Sequence, residues 1–256
     1  MVSTSYSPSS ELEEAARRLA AQMRRPWVAR GRQTIGQLRK RYGDQPIMLL
    51  TNEGLRLYAG NGKPVFFHPS MAALRVQKLA KGEEDALVAA AGAKPGDAVL
   101  DCTAGLAADA IVFSAVVGER GRVVALESEE AIYWLIREGL ASYKSDIPGL
   151  EEAMRRVQVI LADHLDYLRG LPDRSFDIVY FDPMFRLPIG VSASMAPLRV
   201  VANHRRLSAE AVREATRVAR RAVVLKEHRD SGEFERLGIA PLIRPHTKIA
   251  YGVIRL

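Results

Sequence analysis

Five short, almost uninterrupted apolar runs mark the chain beyond residue 97. They are AVLDC (98–102), RVVALES (122–128), VQVILAD (157–163), FDIVYFD (176–182) and AVVLKEH (222–228). Runs of this length, rich in valine and isoleucine, read as strands covered on both faces. Helical spacing fills residues 107–117, 129–143 and 208–220 between them, and LIRPHTKIAYGVIRL (242–256) reads as a final strand pair. Alternating β and α segments of this kind predict the α/β class, with a mainly parallel sheet and helices on both faces.

The first part of the chain follows another rhythm. Ser10 and Glu13 suggest a capping box for a helix over 10–25, stopped by Pro26. TIGQLRKRYG (34–43) suggests a second, short helix. PIMLLTNEGLRLYAGNGKPVFF (46–67) reads as a small β-element turning at Asn52-Glu53-Gly54 and at Asn61-Gly62. SMAALRVQKLAKGEEDALVAAAG (70–92) is helical and leads into the turn Lys94-Pro95-Gly96-Asp97. The expected division is a small basic α+β region over 1–63 and a larger domain over 64–256.

Composition changes this picture little. Apolar residues make up 48% and charged residues 26% of 256, which is ordinary for a globular protein. No window approaches eighteen apolar residues, and MVSTSYSPSSELEEA lacks the basic start and apolar stretch of a secretory signal. A cytoplasmic protein without membrane contact is expected. The single cysteine, Cys102, excludes an intramolecular disulfide and a thiolate zinc cluster. The histidines His68, His164, His204, His228 and His246 have no H-E-x-x-H spacing, and no metal is expected.

Charge is uneven. Residues 15–43 hold Arg17, Arg18, Arg24, Arg25, Arg30, Arg32, Arg39, Lys40 and Arg41 and no acid, although the whole chain carries only +7. Two readings stay open: a solvated helix face, or a patch that meets phosphates.

In an open α/β sheet, ligands bind beyond the carboxyl ends of the strands, where strand order reverses. The first such end gives LDCTAGLAADA, with Asp101, Thr103, Gly105 and Asp109. Gly105 permits a sharp turn and a close backbone approach. Neither G-x-G-x-x-G nor a P-loop is present, so phosphate cradling has little support. The second strand ends at Glu127, 26 residues after Asp101, where an acid can bond a ribose. Asp163-His164 ends the third and could meet an adenine edge. In isolation each reads more readily as a helix cap or a turn than as a ligand contact; together they describe an adenosine-shaped site. The fourth end, Asp182-Pro183-Met184-Phe185, sets a carboxylate, a fixed backbone and a ring side by side. Such a group can accept the hydrogens of an exocyclic amine while a flat base stacks on the ring.

VLDCTAGLAADAIV, ALES and YFDPMF together resemble class I S-adenosylmethionine-dependent methyltransferases. More narrowly they resemble the small-subunit ribosomal RNA guanine-N2 methyltransferase J family, over roughly residues 64–256. The resemblance implies a Rossmann-like fold with a seven-stranded sheet and S-adenosyl-L-methionine as cofactor. It implies that Asp101, Thr103, Ala104, Gly105 and Asp109 surround the methionine part. Glu127, with Ser128, would hold the ribose, and Asp163, with His164, would approach the adenine. Asp182, Pro183 and Phe185 would hold the target amine, and Arg75, Arg199 and Lys226 would lie near RNA or the mouth of the site. The implied partner is ribosomal RNA or the small ribosomal subunit. The family often has Gly-Arg-Asp where this chain has Ala107-Ala108-Asp109, and proline where it has Arg186. The long segment 186–206 is expected to cover the site as a lid or substrate loop. DNA adenine, a protein glutamine or a small amine remain alternative acceptors. A non-catalytic RNA-binding module is a further alternative, disfavoured by the presence of both Asp182 and Glu127.

Overall fold

The computed structural model describes residues 1–60, 63–183, 201–243 and 247–256. Its first sheet is built from β1 (Val2–Thr4), β2 (Ile47–Thr51), β3 (Gly54–Tyr58) and β4 (Val65–Phe66), in that order. β1 runs parallel to β2, and β2, β3 and β4 pair antiparallel. Strand β1 was not foreseen; only three residues long, two of them the buried polar residues Ser3 and Thr4, it shows no apolar run. Helix α1 (Ser10–Gln22) is capped by Ser9, whose side chain accepts from the Leu12 N–H, so the expected cap at Ser10 is corrected by one residue. The helix stops at Met23, and Arg24 turns at a positive φ of 51° before Pro26 is reached. Helix α2 (Ile35–Tyr42) has a capping box between Thr34 and Gln37. The helical stretch after residue 70 is two helices, α3 (Ser70–Ala80) and α4 (Ala86–Ala91).

The larger sheet contains the expected strands: β5 (Ala98–Asp101), β6 (Arg122–Glu127), β7 (Val157–Leu161), β8 (Phe176–Phe181) and β9 (Ala219–His228), followed by β10 (Pro241–Leu242) and β11 (Ile249–Arg255). Their order is β10-β11-β9-β8-β5-β6-β7. The run from β9 to β7 is parallel, and β11 is antiparallel to both β9 and β10. From β5 the chain builds outward through β6 and β7, then returns to the other side of β5 as β8. Strand order therefore reverses between β5 and β8, which is where a ligand is expected.

Alternation along each strand sends side chains to opposite faces. Val99, Ile178, Tyr180, Ala222 and Val224 pack on one side, with α5 (Ala108–Val117), α6 (Glu130–Ser142) and α7 (Leu150–Arg156). Leu100, Val179, Phe181, Val223 and Leu225 pack on the other, with α8 (His164–Arg169), α9 (Ala209–Val218) and α10 (Glu233–Leu237). Each fully buried valine, leucine, isoleucine or phenylalanine among them stabilises the fold by about 1.5–3 kcal/mol, which is why the strands read as continuous apolar runs.

The two sheets share one core. Val2, Met48, Leu57, Val65 and Phe67 join the same apolar cluster as α5 and α6. The division expected at residue 63 falls between β3 and β4 of one sheet. Phe67 lies so close to α6 that a Cβ on Gly139 would stand 2.1 Å from its ring. No helix among the described residues is long and apolar enough to cross a membrane.

Candidate active site

A cavity of about 340 Å³ opens beyond the carboxyl ends of β5, β6, β7 and β8. Thr103, Gly105, Glu127, Ser128, Asp163, His164, Asp182 and Pro183 border it. Asp101 and Ala104 lie buried behind that wall. Asp109 is 7% exposed and does not border the cavity. Phe185 and Arg199 lie outside the described residues, as does segment 186–200 of the expected lid. Its far end does reach the site, since Ala202, Asn203, Arg205 and Arg206 line the cavity.

The loop after β5 is held by its own backbone. Cys102 N–H donates to the Tyr180 carbonyl at 2.8 Å, and Ala104 N–H to the Leu126 carbonyl at 2.8 Å, fastening the loop to β8 and β6. Gly105 has φ +53°, and a Cβ there would meet nothing closer than 4.0 Å, so the cavity wall stays open at this point. Ala107, where the family often has glycine, also sits in the left-handed region at φ 60°. A side chain there costs about 1–2 kcal/mol, which α5 offsets by burying most of its length.

Glu127 is 8% exposed and turned back on the loop, with Oε2 accepting from Gly105 N–H at 3.2 Å and Oε1 from Glu129 N–H at 2.9 Å. Burial pushes its carboxyl up to about 7 against these bonds. Burial likewise pushes Asp101 up to about 8, with Thr103 N–H donating to it at 3.0 Å. Asp163 caps α8 by accepting from Leu165 N–H at 2.9 Å. His164 sits edge-on to Phe181 with centroids 5.7 Å apart, and burial lowers its pKa. Ser128 Oγ accepts from the side chain of Asn203 at 3.1 Å, joining the β6 end to residues after the long segment.

Asp182 follows β8 directly. Its N–H donates to Thr103 Oγ1 at 2.6 Å, which ties the fourth strand end to the first. Its carboxylate is 26% exposed, and Oδ2 accepts from Lys226 Nζ at 2.7 Å. Register explains the pairing: Phe181 faces Leu225 on β9, so the next residues, Asp182 and Lys226, are neighbours. Burial raises the Asp182 carboxyl to about 6, with Lys226 opposing and Asp109 adding to the rise.

Arg75 and Lys226 point inward. Arg75 is engaged by Asp85 at 2.7 and 2.9 Å and by Asp109, and Lys226 bridges Asp182 and Asp109. Neither guanidinium nor ammonium is displayed on an outer surface where RNA phosphates would meet it. Sequence reasoning did not single out Tyr180, whose hydroxyl donates to Asp109 at 2.7 Å, or Asn203. A tyrosine inside an otherwise aliphatic strand was the available signal for the first.

In the basic window, Arg17 pairs with Glu13, Arg18 with Glu14, Arg25 with Glu130 and Arg39 with Asp44, and Arg30 stacks on Tyr6. No group of metal-binding side chains occurs among the described residues.

A buried acid at the end of β6, an open glycine turn after β5 and a cavity of this size suit a nucleoside with an attached amino acid. The residues present thus fit S-adenosylmethionine. Comparison with known proteins agrees. A family model described as "Putative SAM-dependent methyltransferase" matches residues 34–236. The chain is 40% identical to Bacillus subtilis YpiP over 255 residues, covering 100% of this chain and 99% of the relative. It is 30% identical over 189 residues to the ribosomal RNA small subunit methyltransferase J of Cellvibrio japonicus, covering 69% of this chain and 68% of that one. Its fold is similar to that of a SAM-dependent methyltransferase from Neisseria gonorrhoeae, with a TM-score of 0.60, 19% identity and coverage of 99% and 95%. With the strand-end site and these relatives in agreement, the chain belongs to the SAM-dependent methyltransferase family and uses S-adenosylmethionine as its cofactor.

Proposed function

We propose that the protein methylates an exocyclic amine of a base in RNA, with guanine N2 of small-subunit ribosomal RNA as the target. The observation that carries this reading is the Asp182 carboxylate, anchored by Lys226 and through its own N–H by Thr103, yet open to the cavity beside Pro183. A carboxylate held there accepts one hydrogen of an –NH₂ group and aims the nitrogen lone pair into the cavity, so catalysis works by positioning and electrostatics.

When bound, S-adenosylmethionine supplies a methyl group on a sulfonium, a strong electrophile with a neutral leaving group. Glu127 accepts from the ribose hydroxyls, and Gly105 lets the backbone approach. Phe185, next but one after Pro183, offers a ring for the base. A base within a duplex cannot reach this depth, so the target is single-stranded or flipped. The basic N-terminal region, residues 1–63, packed on the same core, serves as the surface that meets RNA phosphates. Its exposed ion pairs are worth about 0–1 kcal/mol each and exchange readily for phosphate. Support for ribosomal RNA comes from the relatives named ribosomal RNA small subunit methyltransferase J.

The test is transfer of labelled methyl to small subunits from cells lacking the protein, with DNA and total protein alongside and the nucleoside identified by mass spectrometry. N2-methylguanosine at one site is expected, lost in Asp182→Ala while cofactor binding persists. Label in DNA or protein alone would overturn the substrate, and wild-type turnover in Asp182→Ala would overturn the role of the carboxylate.

A further inference from the structure

Beneath Asp182 lies a buried chain of charges whose other members do not border the cavity. Lys226 Nζ donates to Asp182 Oδ2 at 2.7 Å and to Asp109 Oδ2 at 2.9 Å. Asp109 is further held by the Tyr180 hydroxyl at 2.7 Å and by Arg75 on its other oxygen. Arg75 is gripped from behind by both oxygens of Asp85, which caps α4. Asp85, Asp109 and Asp182 are three carboxylates against two cations, Arg75 and Lys226. One negative charge is therefore left over, and Asp182 is the member of the chain that borders the cavity.

That excess has two outlets. Asp182 can take up a proton, or positive charge can arrive in the cavity. Burial favours the first, Lys226 works against it, and Asp109 and Asp182 together hold Lys226 charged against its own burial. A protonated Asp182 would present an O–H donor where the amine needs an acceptor.

We propose that Lys226 is a positioning residue for methyl transfer: braced on Asp109, it keeps Asp182 ionised and turned so that its remaining lone pairs face the cavity. This deepens the reading of Asp182 as the amine's acceptor and rests on it. In the reaction the nitrogen lone pair forms the N–C bond, and the electron pair of the breaking C–S bond stays on sulfur. The proton then lost by the alkylated nitrogen passes to Asp182 and on to water. The site's surplus negative charge matches the positive charge carried through this step. The groups that act on Asp182 are Lys226 on β9, Tyr180 on β8, Asp109 on α5 and Asp101 at the end of β5, while Tyr251 on β11 faces Lys226 and Arg75 on α3 faces Asp109.

The test uses the full chain without ligand, labelled with ¹³C at the aspartate carboxyls. The Asp182 resonance is assigned by its loss in Asp182→Asn. In Lys226→Met its titration midpoint should rise by about 1–3 pH units, the usual effect of an opposite charge at this distance. Lys226→Arg should restore most of the shift. Asp109→Asn should move the midpoint the other way, because it removes a repelling charge and leaves Lys226 to Asp182, and it keeps the test alive if Lys226→Met does not fold. The acid limb of the kcat profile should follow the same shifts, with KM for the cofactor within about twofold. An unmoved midpoint in Lys226→Met, or shifts of equal sign in Lys226→Met and Asp109→Asn, would overturn the proposal whatever the substrate is. Shifted midpoints without methylated RNA would uphold the Asp182–Lys226 coupling and overturn the substrate reading instead.

Discussion

Cofactor affinity should fall with pH as Glu127 takes up a proton. The carboxyl is raised to about 7 by burial, and only the ionised form offers both oxygens as charge-assisted acceptors to the two ribose hydroxyls, since protonation turns one oxygen into a donor. Below that value, binding must first expel the proton. At pH 6 about ten molecules in eleven carry it, so the penalty is about 1.4 kcal/mol and affinity is about tenfold below its value at pH 8. At pH 5.5 the loss grows to roughly thirtyfold. The readout is isothermal titration calorimetry with S-adenosylhomocysteine, which avoids turnover. Repeating it in buffers of different ionisation enthalpy counts the protons, and about 0.9 should be released per site at pH 6 from this group.

Glu127→Gln separates this group from Asp101 and Asp182, which also titrate in the range. The amide keeps an acceptor for Gly105 N–H but loses the charge, weakening two charge-assisted hydrogen bonds by about 1 kcal/mol each. Affinity at pH 8 should drop by roughly thirtyfold, and the slope between pH 6 and 8 should flatten. A Glu127→Gln protein with wild-type affinity at pH 8, or with the same pH slope, would refute the assignment of the ribose contact to this carboxylate.

Two further outcomes concern stability. Asp101 is 1% exposed and raised to about 8 from an ordinary 3.8. A raised acid stabilises the fold while protonated, and that stability is lost progressively from about pH 4 up through pH 8. The advantage of Asp101→Asn over wild type should therefore widen by on the order of 5 kcal/mol between pH 4 and pH 9; a constant difference in denaturant titrations would mean that burial does not raise this carboxyl. Gly139→Ala should destabilise by about 1–2 kcal/mol in the same assay, since overpacking against Phe67 outweighs the roughly 1 kcal/mol gain in helix propensity. Unchanged or increased stability would show that Phe67 can move away from α6.

What the sequence disclosed follows from how each feature is encoded. β5, β6 and β8 were legible to within a residue because parallel strands buried on both faces leave a continuous apolar signal. α7 and α10 are only one or two turns long, too short for periodicity to declare itself, and were missed as elements, whereas α8 was legible through its cap, Asp163. The cavity wall was legible at Thr103, Gly105, Glu127, Asp163 and Asp182 because in this topology strand ends must converge where order reverses. The charged chain was not. Asp109 lies 34 residues from Arg75 and 117 from Lys226, and local pattern carries nothing about such pairings. Arginine and lysine then default to solvent or nucleic acid, because buried cations are rare. Still, Lys226 had one mark against that default: it directly follows the apolar run Ala222-Val223-Val224-Leu225 of a strand expected to be covered on both faces. A lysine at such an end, beside a neighbouring strand that ends in an aspartate, has to find a carboxylate or lose its charge. The strand order needed to see that neighbour comes from the α/β topology itself. Charge pairing across adjacent strand ends is therefore recoverable from sequence once topology is granted, whereas the helix-borne partners Arg75 and Asp109 require the packing of α3 and α5.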